Sequence, residues 1–151
     1  MKVAVGCDHA GFGLKKTVLD ALDELGVEYK DFGSFSQDPV DYPDVAREVA
    51  RAVAAGEYDR GILMCGTGIG MSITANKVKG IRAASCENVV TARFSRVHND
   101  ANVLAMGGRT VEAALAEAIV KEWLQTEFES GGRHSRRLHK ITEMENEEDC
   151  S

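Results

Sequence analysis

The residues whose types and spacing most clearly indicate chemistry are a cysteine and the three glycines that follow it. They lie in the stretch Cys65-Gly66-Thr67-Gly68-Ile69-Gly70-Met71-Ser72. A loop between a strand and a helix presents unpaired N–H groups and the positive end of the helix dipole, and glycines let a ligand approach the backbone. The same setting favours the thiolate form of a cysteine. The stretch therefore predicts an anion-binding loop in which Cys65 acts as a nucleophile or as a base for a proton next to a carbonyl group.

Three known loop types fit this stretch only in part. A Walker A loop needs a lysine before the final serine or threonine, but Met71 precedes Ser72. A dinucleotide-binding loop needs the spacing GxGxxG, normally after the first strand, whereas these glycines are spaced GxGxG after the third predicted strand. A cysteine phosphatase loop needs an arginine where Met71 stands, to clamp the phosphoryl group. A plain tight turn stays open as the alternative, and spacing does not choose between a base and a nucleophile.

Further groups that bind anions or move protons occur elsewhere in the chain. Asp8 and His9 follow the first predicted strand, and His98 precedes the fifth. Arg133 and Arg137 are four residues apart and share one helix face. Because cations in a first helical turn oppose the helix dipole, an anionic ligand would compensate for them. The simpler alternatives are exposed or hydrogen-bonded histidines and a solvated basic face.

The elements that must position these groups alternate between strand and helix. Apolar runs predict strands over 2–7, 27–32, 60–64, 81–86 and 103–106. Helical periodicity predicts helices over 12–25, 45–55, 71–77, 88–97 and 111–124, and a C-terminal basic helix from about Arg133. The turn-rich segment 33–43 is predicted as a loop. The pattern predicts a three-layer α/β/α sandwich with a five-stranded parallel, Rossmann-like sheet. Ligands bind outside the carboxyl ends of such strands, where Asp8, Cys65 and Arg109 fall.

Length, charge and cysteine usage limit the class of protein. The 151 residues fit one domain, which we predict over 1–142, followed by an acidic, frayed tail over 143–151. The net charge of −6 disfavours a nucleic-acid surface, and the apolar runs are too short to cross a membrane. The N-terminus MKVAVGCDHAG lacks the apolar region of a signal peptide, so we expect a cytoplasmic protein. The cysteines and histidines show no metal-site spacing.

Several stretches together resemble one family, ribose-5-phosphate isomerase B, in the group that also contains allose-6-phosphate and galactose-6-phosphate isomerases. The resemblance runs in order over nearly the whole chain. The matching stretches are GCDHAG (6–11), DYP (41–43), CGTGIGMS (65–72), ANK (75–77), GIRA (80–83), HNDANVL (98–104) and GGRH (131–134).

The resemblance implies an aldose–ketose isomerisation of a phosphorylated sugar, in the pentose phosphate pathway, through a cis-enediolate and without metal or cofactor. It makes Cys65 the base that moves the proton between C1 and C2; some relatives use a glutamate for this step. It makes His98 the acid–base group that opens the furanose ring, with Thr67 nearby. The anion hole is implied to be the backbone of Gly66, Thr67, Gly68, Ile69 and Gly70.

The resemblance also implies how the substrate is held. Asp8 and Asn99 would bind sugar hydroxyls, and Tyr42 would line the pocket. The phosphate would be held by His9, Arg133 and Arg137, and Arg109 matches a further binding position, whereas Arg136 has no assigned role. The family's active site lies at a subunit interface, so the resemblance implies a homodimer or a dimer of dimers.

Three alternatives remain beside isomerisation of ribose 5-phosphate. A six-carbon substrate such as allose 6-phosphate would need the same phosphate contacts. A noncatalytic phosphosugar-binding module would need neither Cys65 nor His98. A phosphatase is disfavoured by Met71. The expected partners are a phosphorylated sugar and a second copy of the chain, with no nucleic acid and no membrane.

Overall fold

The computed structural model describes residues 1–149, which form five β-strands and six α-helices. They follow the order β1 (Lys2–Cys7), α1 (Phe12–Glu24), β2 (Glu28–Asp31), α2 (Tyr42–Ala54), β3 (Arg60–Cys65), α3 (Ile69–Ala75), β4 (Ala83–Ser85), α4 (Val89–Val97), β5 (Val103–Gly107), α5 (Ala113–Gln125) and α6 (Arg133–Asp149). The strands pair in parallel as β2-β1-β3-β5-β4. The predicted three-layer fold with a five-stranded parallel sheet and a C-terminal helix is confirmed.

The two faces of the sheet carry separate hydrophobic cores. One core packs side chains of α1, α4 and α5 against Val3, Val5 and Ile62. The other packs α2 and α3 against Ala4 and Leu63. This division follows from right-handed crossovers, because the chain moves from β1 out to β2 and then returns past β1 to β3. The reversal leaves a crevice at the carboxyl ends of β1 and β3, where open α/β sheets bind ligands.

Some element boundaries differ from the sequence prediction. Tyr42 and Pro43 were expected in the loop, but α2 begins at Tyr42 with Pro43 in its first turn, where proline's fixed φ and missing N–H fit a helix. Strand β4 has only three residues, 83–85, rather than six. Just before the strand, the N–H of Arg82 donates to the side chain of Asn102, and Asn76 bonds to the backbone of Ala83, the first residue of β4.

Helix α6 continues past Glu145, where fraying was expected, and extends to Asp149, the last described residue. Glu145 accepts a hydrogen bond from the N–H of Gly80, and Asp149 pairs with Lys79, so this acidic end contacts the segment before β4. Residues 150 and 151 of the predicted tail lie outside the described residues. Within residues 1–149, none of the helices has the length and apolar character needed to span a membrane.

The register of the sheet fixes the direction of its cysteines. Cys7 on β1 pairs with Met64 on β3, and Cys65 is the next residue along β3. Because side chains alternate between the faces of a strand, Cys65 points to the face opposite that of Cys7 and Met64. Cys7 and Met64 lie in the core beneath α1, whereas Cys65 lies on the side of α3.

Candidate active site

A cavity of about 430 Å³ opens at the carboxyl ends of β1, β3 and β5. Strand ends supply most of its chemistry: Asp8 and His9 follow β1, Cys65 ends β3, and Arg109 follows β5. The full lining is Asp8, His9, Ala10, Tyr42, Cys65, Gly66, Thr67, Ile69, Gly70, Ile73 and Arg109. The cavity therefore combines a thiol, a carboxylate, an imidazole and a guanidinium.

The glycine loop wraps around the sulfur of Cys65. The N–H of Gly68 donates a hydrogen bond to Sγ at 3.2 Å, and the side chain is 4% exposed. A thiolate accepts such a bond more strongly than a thiol does. Gly68 adopts φ 81°, a left-handed conformation that favours glycine, and this turn directs its N–H back at the sulfur. The loop therefore holds Cys65 at the cavity wall.

The loop backbone also provides N–H groups for an anion. The first intrahelical bond of α3 runs from Ser72 to Gly68, so the N–H groups before it have no helical acceptor. The N–H of Ile69 donates to Thr67 Oγ1 at 3.3 Å, and Gly70 lines the cavity. The residues of the predicted anion hole therefore have different roles. The N–H of Gly68 donates to the Cys65 sulfur, whereas Gly70 lines the cavity.

Asp8 and His9 are held by the backbone on the β1 side. Asp8 Oδ1 accepts the N–H groups of Ala10 and Gly11, each at 2.9 Å, while Oδ2 makes neither bond. His9 Nδ1 accepts the N–H of Val40 at 3.3 Å. A neutral imidazole that accepts at Nδ1 carries its proton on Nε2, so His9 presents an N–H donor through its other nitrogen.

Tyr42 and Arg109 close the cavity from two sides. A Cβ placed on Gly70 would lie 2.7 Å from the Tyr42 ring, so the tyrosine packs directly on the first turn of α3. The N–H of Arg109 donates to the carbonyl of Gly66 at 2.9 Å. The loop after β5 is thereby tied to the glycine loop, which places a cation beside the anion-binding backbone.

His98 lies away from this cavity in the same chain. It follows α4, and the neighbouring Asn102 accepts a hydrogen bond from the N–H of Gly61 at the start of β3. Cys65 lies at the other end of that strand, roughly 13 Å further at about 3.3 Å per residue. His98 lines a different cavity, whose wall includes Phe94 and Glu129.

Comparison with known proteins places the chain in a family. The sequence pattern described as Ribose/Galactose Isomerase matches residues 3–141. Ribose-5-phosphate isomerase B of Escherichia coli is 53% identical over 95% of this chain and 96% of its own. The chain belongs to the ribose/galactose isomerase family. It is therefore an isomerase, rather than a noncatalytic phosphosugar-binding module or a phosphatase.

Solved structures of such isomerases share its fold. Ribose-5-phosphate isomerase B of Clostridium thermocellum superposes with a TM-score of 0.94 at 54% identity, over 97% of this chain and 99% of the other. The Mycoplasma genitalium protein, described as having bound ribulose-5-phosphate, gives a TM-score of 0.92 at 40% identity, with 97% of each chain covered. The family's fold therefore extends over almost the whole of this chain.

Most of the isomerase residues expected from the sequence meet at the cavity, but five do not line it. The residues absent from its wall are Gly68, His98, Asn99, Arg133 and Arg137. Asn99, Arg133 and Arg137 are exposed side chains of the single chain. Arg82 holds the segment that contains His98 and Asn99 in place. Its side chain donates a hydrogen bond to the carbonyl of Asn99 and forms an ion pair with Asp100.

Sequence reasoning missed three residues of this isomerase that the structure brings into view. Ala10 and Ile73 line the cavity, and His134 stacks on His98. Ala10 and Ile73 carry no chemical signal in the sequence. The signal for His134 was its place beside Arg133, but only the contact between α6 and α4 reveals its neighbour. Among residues 1–149, no cluster of three or more His, Cys, Asp or Glu side chains is arranged to hold a metal ion.

Proposed function

We propose that this isomerase interconverts ribose 5-phosphate and ribulose 5-phosphate through a cis-enediolate, without a metal, and that Cys65 is its base. The observation that carries the proposal is the Cys65 sulfur in the wall of a polar cavity, with a backbone N–H of the glycine loop directed at it. A base in this position meets the substrate where the loop can also bind an oxygen anion.

The proposed reaction balances with one thiolate. In the open-chain aldose, the Cys65 sulfur takes the proton from C2, and the electron pair forms the C1–C2 double bond while O1 becomes the enediolate oxygen. The hydroxyl proton on O2 passes to O1, and the sulfur returns its proton to C1. The products are a C2 carbonyl and the regenerated thiolate. N–H groups at the loop stabilise the charge as it develops on oxygen.

Residues around the cavity fit the two ends of the substrate. In this proposal Asp8 and the Asn99 of a second copy of the chain bind sugar hydroxyls, and Tyr42 limits the length of the sugar. His9 and Arg109 line the cavity, where a phosphate accepts hydrogen bonds from both in this proposal. Arg133 and Arg137 add two exposed cations, which complete the phosphate site only if they come from another chain.

We propose that the active form is a homodimer whose sites each combine two chains. His98 follows α4 near the amino ends of the strands, and the cavity lies at their carboxyl ends, so one chain does not complete the site. Helices α3, α4 and α6 expose apolar side chains that a second copy would cover: Ile69, Ile73, Val90, Phe94, Ile141 and Met144. A two-fold dimer brings the His98 of one chain to the Cys65 cavity of the other.

Heterodimers test this arrangement directly. Chains with Cys65→Ala and His98→Asn are co-expressed with different affinity tags, and the species carrying both tags is purified. If the site is shared, one of its two sites has an intact Cys65 and an intact His98, so activity is about half that of wild type. The matched control pairs a wild-type chain with a chain carrying both substitutions. A shared site makes this control inactive, whereas half-activity in the control would show that each chain has its own complete site.

Substrate identity is tested by a coupled assay in the presence of EDTA. Ribose 5-phosphate and allose 6-phosphate are compared side by side, because both present the same phosphate but differ by one carbon. We expect a higher kcat/KM for ribose 5-phosphate. A preference for the six-carbon sugar would move the proposal to hexose phosphate isomerisation, and loss of activity in EDTA would contradict the metal-free mechanism.

We also propose a cytoplasmic enzyme of the pentose phosphate pathway. Its support is the substrate class together with Cys7, Cys65 and Cys86, which are free thiols in the structure. Free thiols persist in a reducing compartment. Cell fractionation with an antibody to the protein tests the location, and recovery outside the cytoplasmic fraction would contradict it.

A further inference from the structure

Aromatic rings cover both faces of His98. Its imidazole lies between Phe94 and His134, with ring centroids 4.6 Å and 4.3 Å away and interplanar angles of 13° and 14°. Phe94 is one turn earlier on α4, whereas His134 belongs to the first turn of α6. Rings stacked at these distances attract each other. The stack fixes the plane of the His98 ring.

His134 differs from the rest of its helix. It is 9% exposed and is the one buried side chain of α6 within residues 133–149. The neighbouring Arg133 and Arg136 point to solvent. The first turn of α6 therefore inserts its histidine beside His98 and keeps its cations outside.

The surroundings of the stack favour the neutral form of His134 by lowering its pKa. Burial lowers the pKa of His134, and the nearby His98 and Arg133 lower it further, with an opposing effect from Glu129 and an added lowering by Arg137. The cavity wall that His98 lines also carries Arg93 and Glu122. A neutral His134 adds no positive charge beside an imidazole that exchanges a proton.

We propose that His134 is a positioning residue for His98 and that its stacked ring holds the imidazole in the orientation needed to open the sugar ring. The inference rests on the proposed function, because it assigns a supporting residue to the same reaction. It concerns ring opening alone and leaves the proton transfer by Cys65 unaffected.

Only the reaction that starts from ribose 5-phosphate requires ring opening. In the furanose form of ribose 5-phosphate, the C1–O4 bond breaks, the O1 hydroxyl gives up its proton, and O4 receives one, so a group that exchanges protons is needed at both oxygens. Ribulose 5-phosphate has no furanose form, because its O5 is esterified. Exchange of its C1 proton with solvent therefore needs the base but not the ring-opening group.

The experiment measures both activities in the same variants. Isomerisation of ribose 5-phosphate is followed by a coupled assay, and exchange at C1 of ribulose 5-phosphate is followed by NMR in D2O. We expect His134→Ala to lower kcat for ribose 5-phosphate roughly 3- to 10-fold, the range that loss of one ring stack produces, while C1 exchange stays within about twofold of wild type. His134→Phe keeps a planar ring on His98 and should restore most of the lost rate.

A matched control distinguishes the positioning of His98 from a general disturbance of α6. His139→Ala removes an exposed histidine of the same helix and should change neither activity. A parallel loss of both activities in His134→Ala, no loss at all, or a loss that His134→Phe does not restore would overturn the inference. The proposed function fails separately, if the wild-type protein does not isomerise ribose 5-phosphate or if His98→Asn leaves that activity unchanged.

Discussion

Two cysteines at the ends of neighbouring strands have opposite surroundings. Cys7 on β1 is fully buried beneath α1, and its S–H donates to the carbonyl of Ser34 at 3.6 Å. Burial raises the pKa of Cys7 to about 11, even though Lys15 lies nearby. Cys65 on β3 instead accepts a hydrogen bond at its sulfur and lines the cavity. The same residue type is therefore a protonated core thiol in one place and an accessible acceptor in the other.

The difference shows that the face of the sheet decides the chemistry of each thiol. The strand register pairs Cys7 with Met64. Cys65 is the residue after Met64, so its side chain points to the opposite face of the sheet, on the side of the glycine loop. A thiol that acts as a base needs a sulfur that the substrate can reach and donors that stabilise the thiolate. Cys65 has a donor and a cavity, whereas Cys7 has a carbonyl acceptor and a closed core. Substitutions on either face of the sheet therefore test the contrast between the two thiols.

The largest expected effect is a difference in kcat between variants of the two cysteines. Cys65→Ser should lower kcat by about 10²- to 10⁴-fold, because the general base is removed. Sugar-phosphate binding should remain measurable by calorimetry, since the cavity and its cations are retained. Cys7→Ser is the matched control and should keep kcat close to wild type, as its hydroxyl can still donate to Ser34. Comparable turnover losses in the two variants would contradict the division between the thiols.

The next effect concerns the cations of α6. Arg137→Ala should raise KM for ribose 5-phosphate by roughly 10- to 100-fold with a smaller change in kcat, because a phosphate contact acts in the ground state and the transition state alike. Arg136→Ala removes an adjacent exposed arginine that has no assigned role, and its KM should stay at the wild-type value. Steady-state kinetics measure both, and equal KM values for the two variants would remove Arg137 from the phosphate site.

These predictions rest on features that the sequence reveals to different degrees. Alternating strands and helices predict the sheet, and the carboxyl ends of its strands predict where Asp8, Cys65 and Arg109 converge. A short segment does not reveal the strand register, so it does not show that Cys7 and Cys65 face opposite sides. The separation of His98 from Cys65 within one chain follows from the path of α4 back along the sheet, which is also a property of the whole fold.

Two asparagines of the motif stretches also have roles that the sequence does not reveal. Asn76 and Asn102 both lie in stretches that resemble the isomerase family, yet their side chains bond to backbone. Asn76 exchanges hydrogen bonds of 2.8 and 3.0 Å with Ala83. Asn102 accepts from the N–H of Arg82 and donates to the carbonyl of Gly80. They build the short β4 rather than the cavity, and the sequence alone does not separate such roles from ligand binding.

A smaller effect on KM is expected when a glycine of the glycine loop, rather than one of α1, is replaced by alanine. Gly70→Ala places a Cβ 2.7 Å from the Tyr42 ring, so the ring must shift, and KM should rise roughly threefold. Gly13→Ala in α1 meets no atom within 4 Å. This control should leave KM unchanged and raise the free energy of unfolding by up to about 1 kcal/mol, because alanine is the better helix former. An unchanged KM in Gly70→Ala would show that Tyr42 does not contact the substrate.

The contrast between the two thiols also predicts a stability difference at alkaline pH. The Cys7 thiol ionises near its ordinary pKa of 9.0 when unfolded but only at about 11 in the folded protein. Between these values the folded state binds more protons than the unfolded state, so the free energy of unfolding falls as pH rises. Relative to Cys7→Ala, the wild-type protein should lose up to about 2 kcal/mol between pH 9 and 11. Parallel denaturation curves across this range would contradict the buried, protonated state of Cys7.

The most direct test of the account follows the carbon-bound proton itself. Ribulose 5-phosphate is incubated in D2O with wild-type, Cys65→Ser or Cys7→Ser protein, and deuterium at C1 is measured by NMR before isomerisation reaches equilibrium. We predict rapid incorporation with the wild-type and Cys7→Ser proteins and a loss of at least about 10²-fold with Cys65→Ser. Incorporation at the wild-type rate by Cys65→Ser would contradict the assignment of Cys65 as the base.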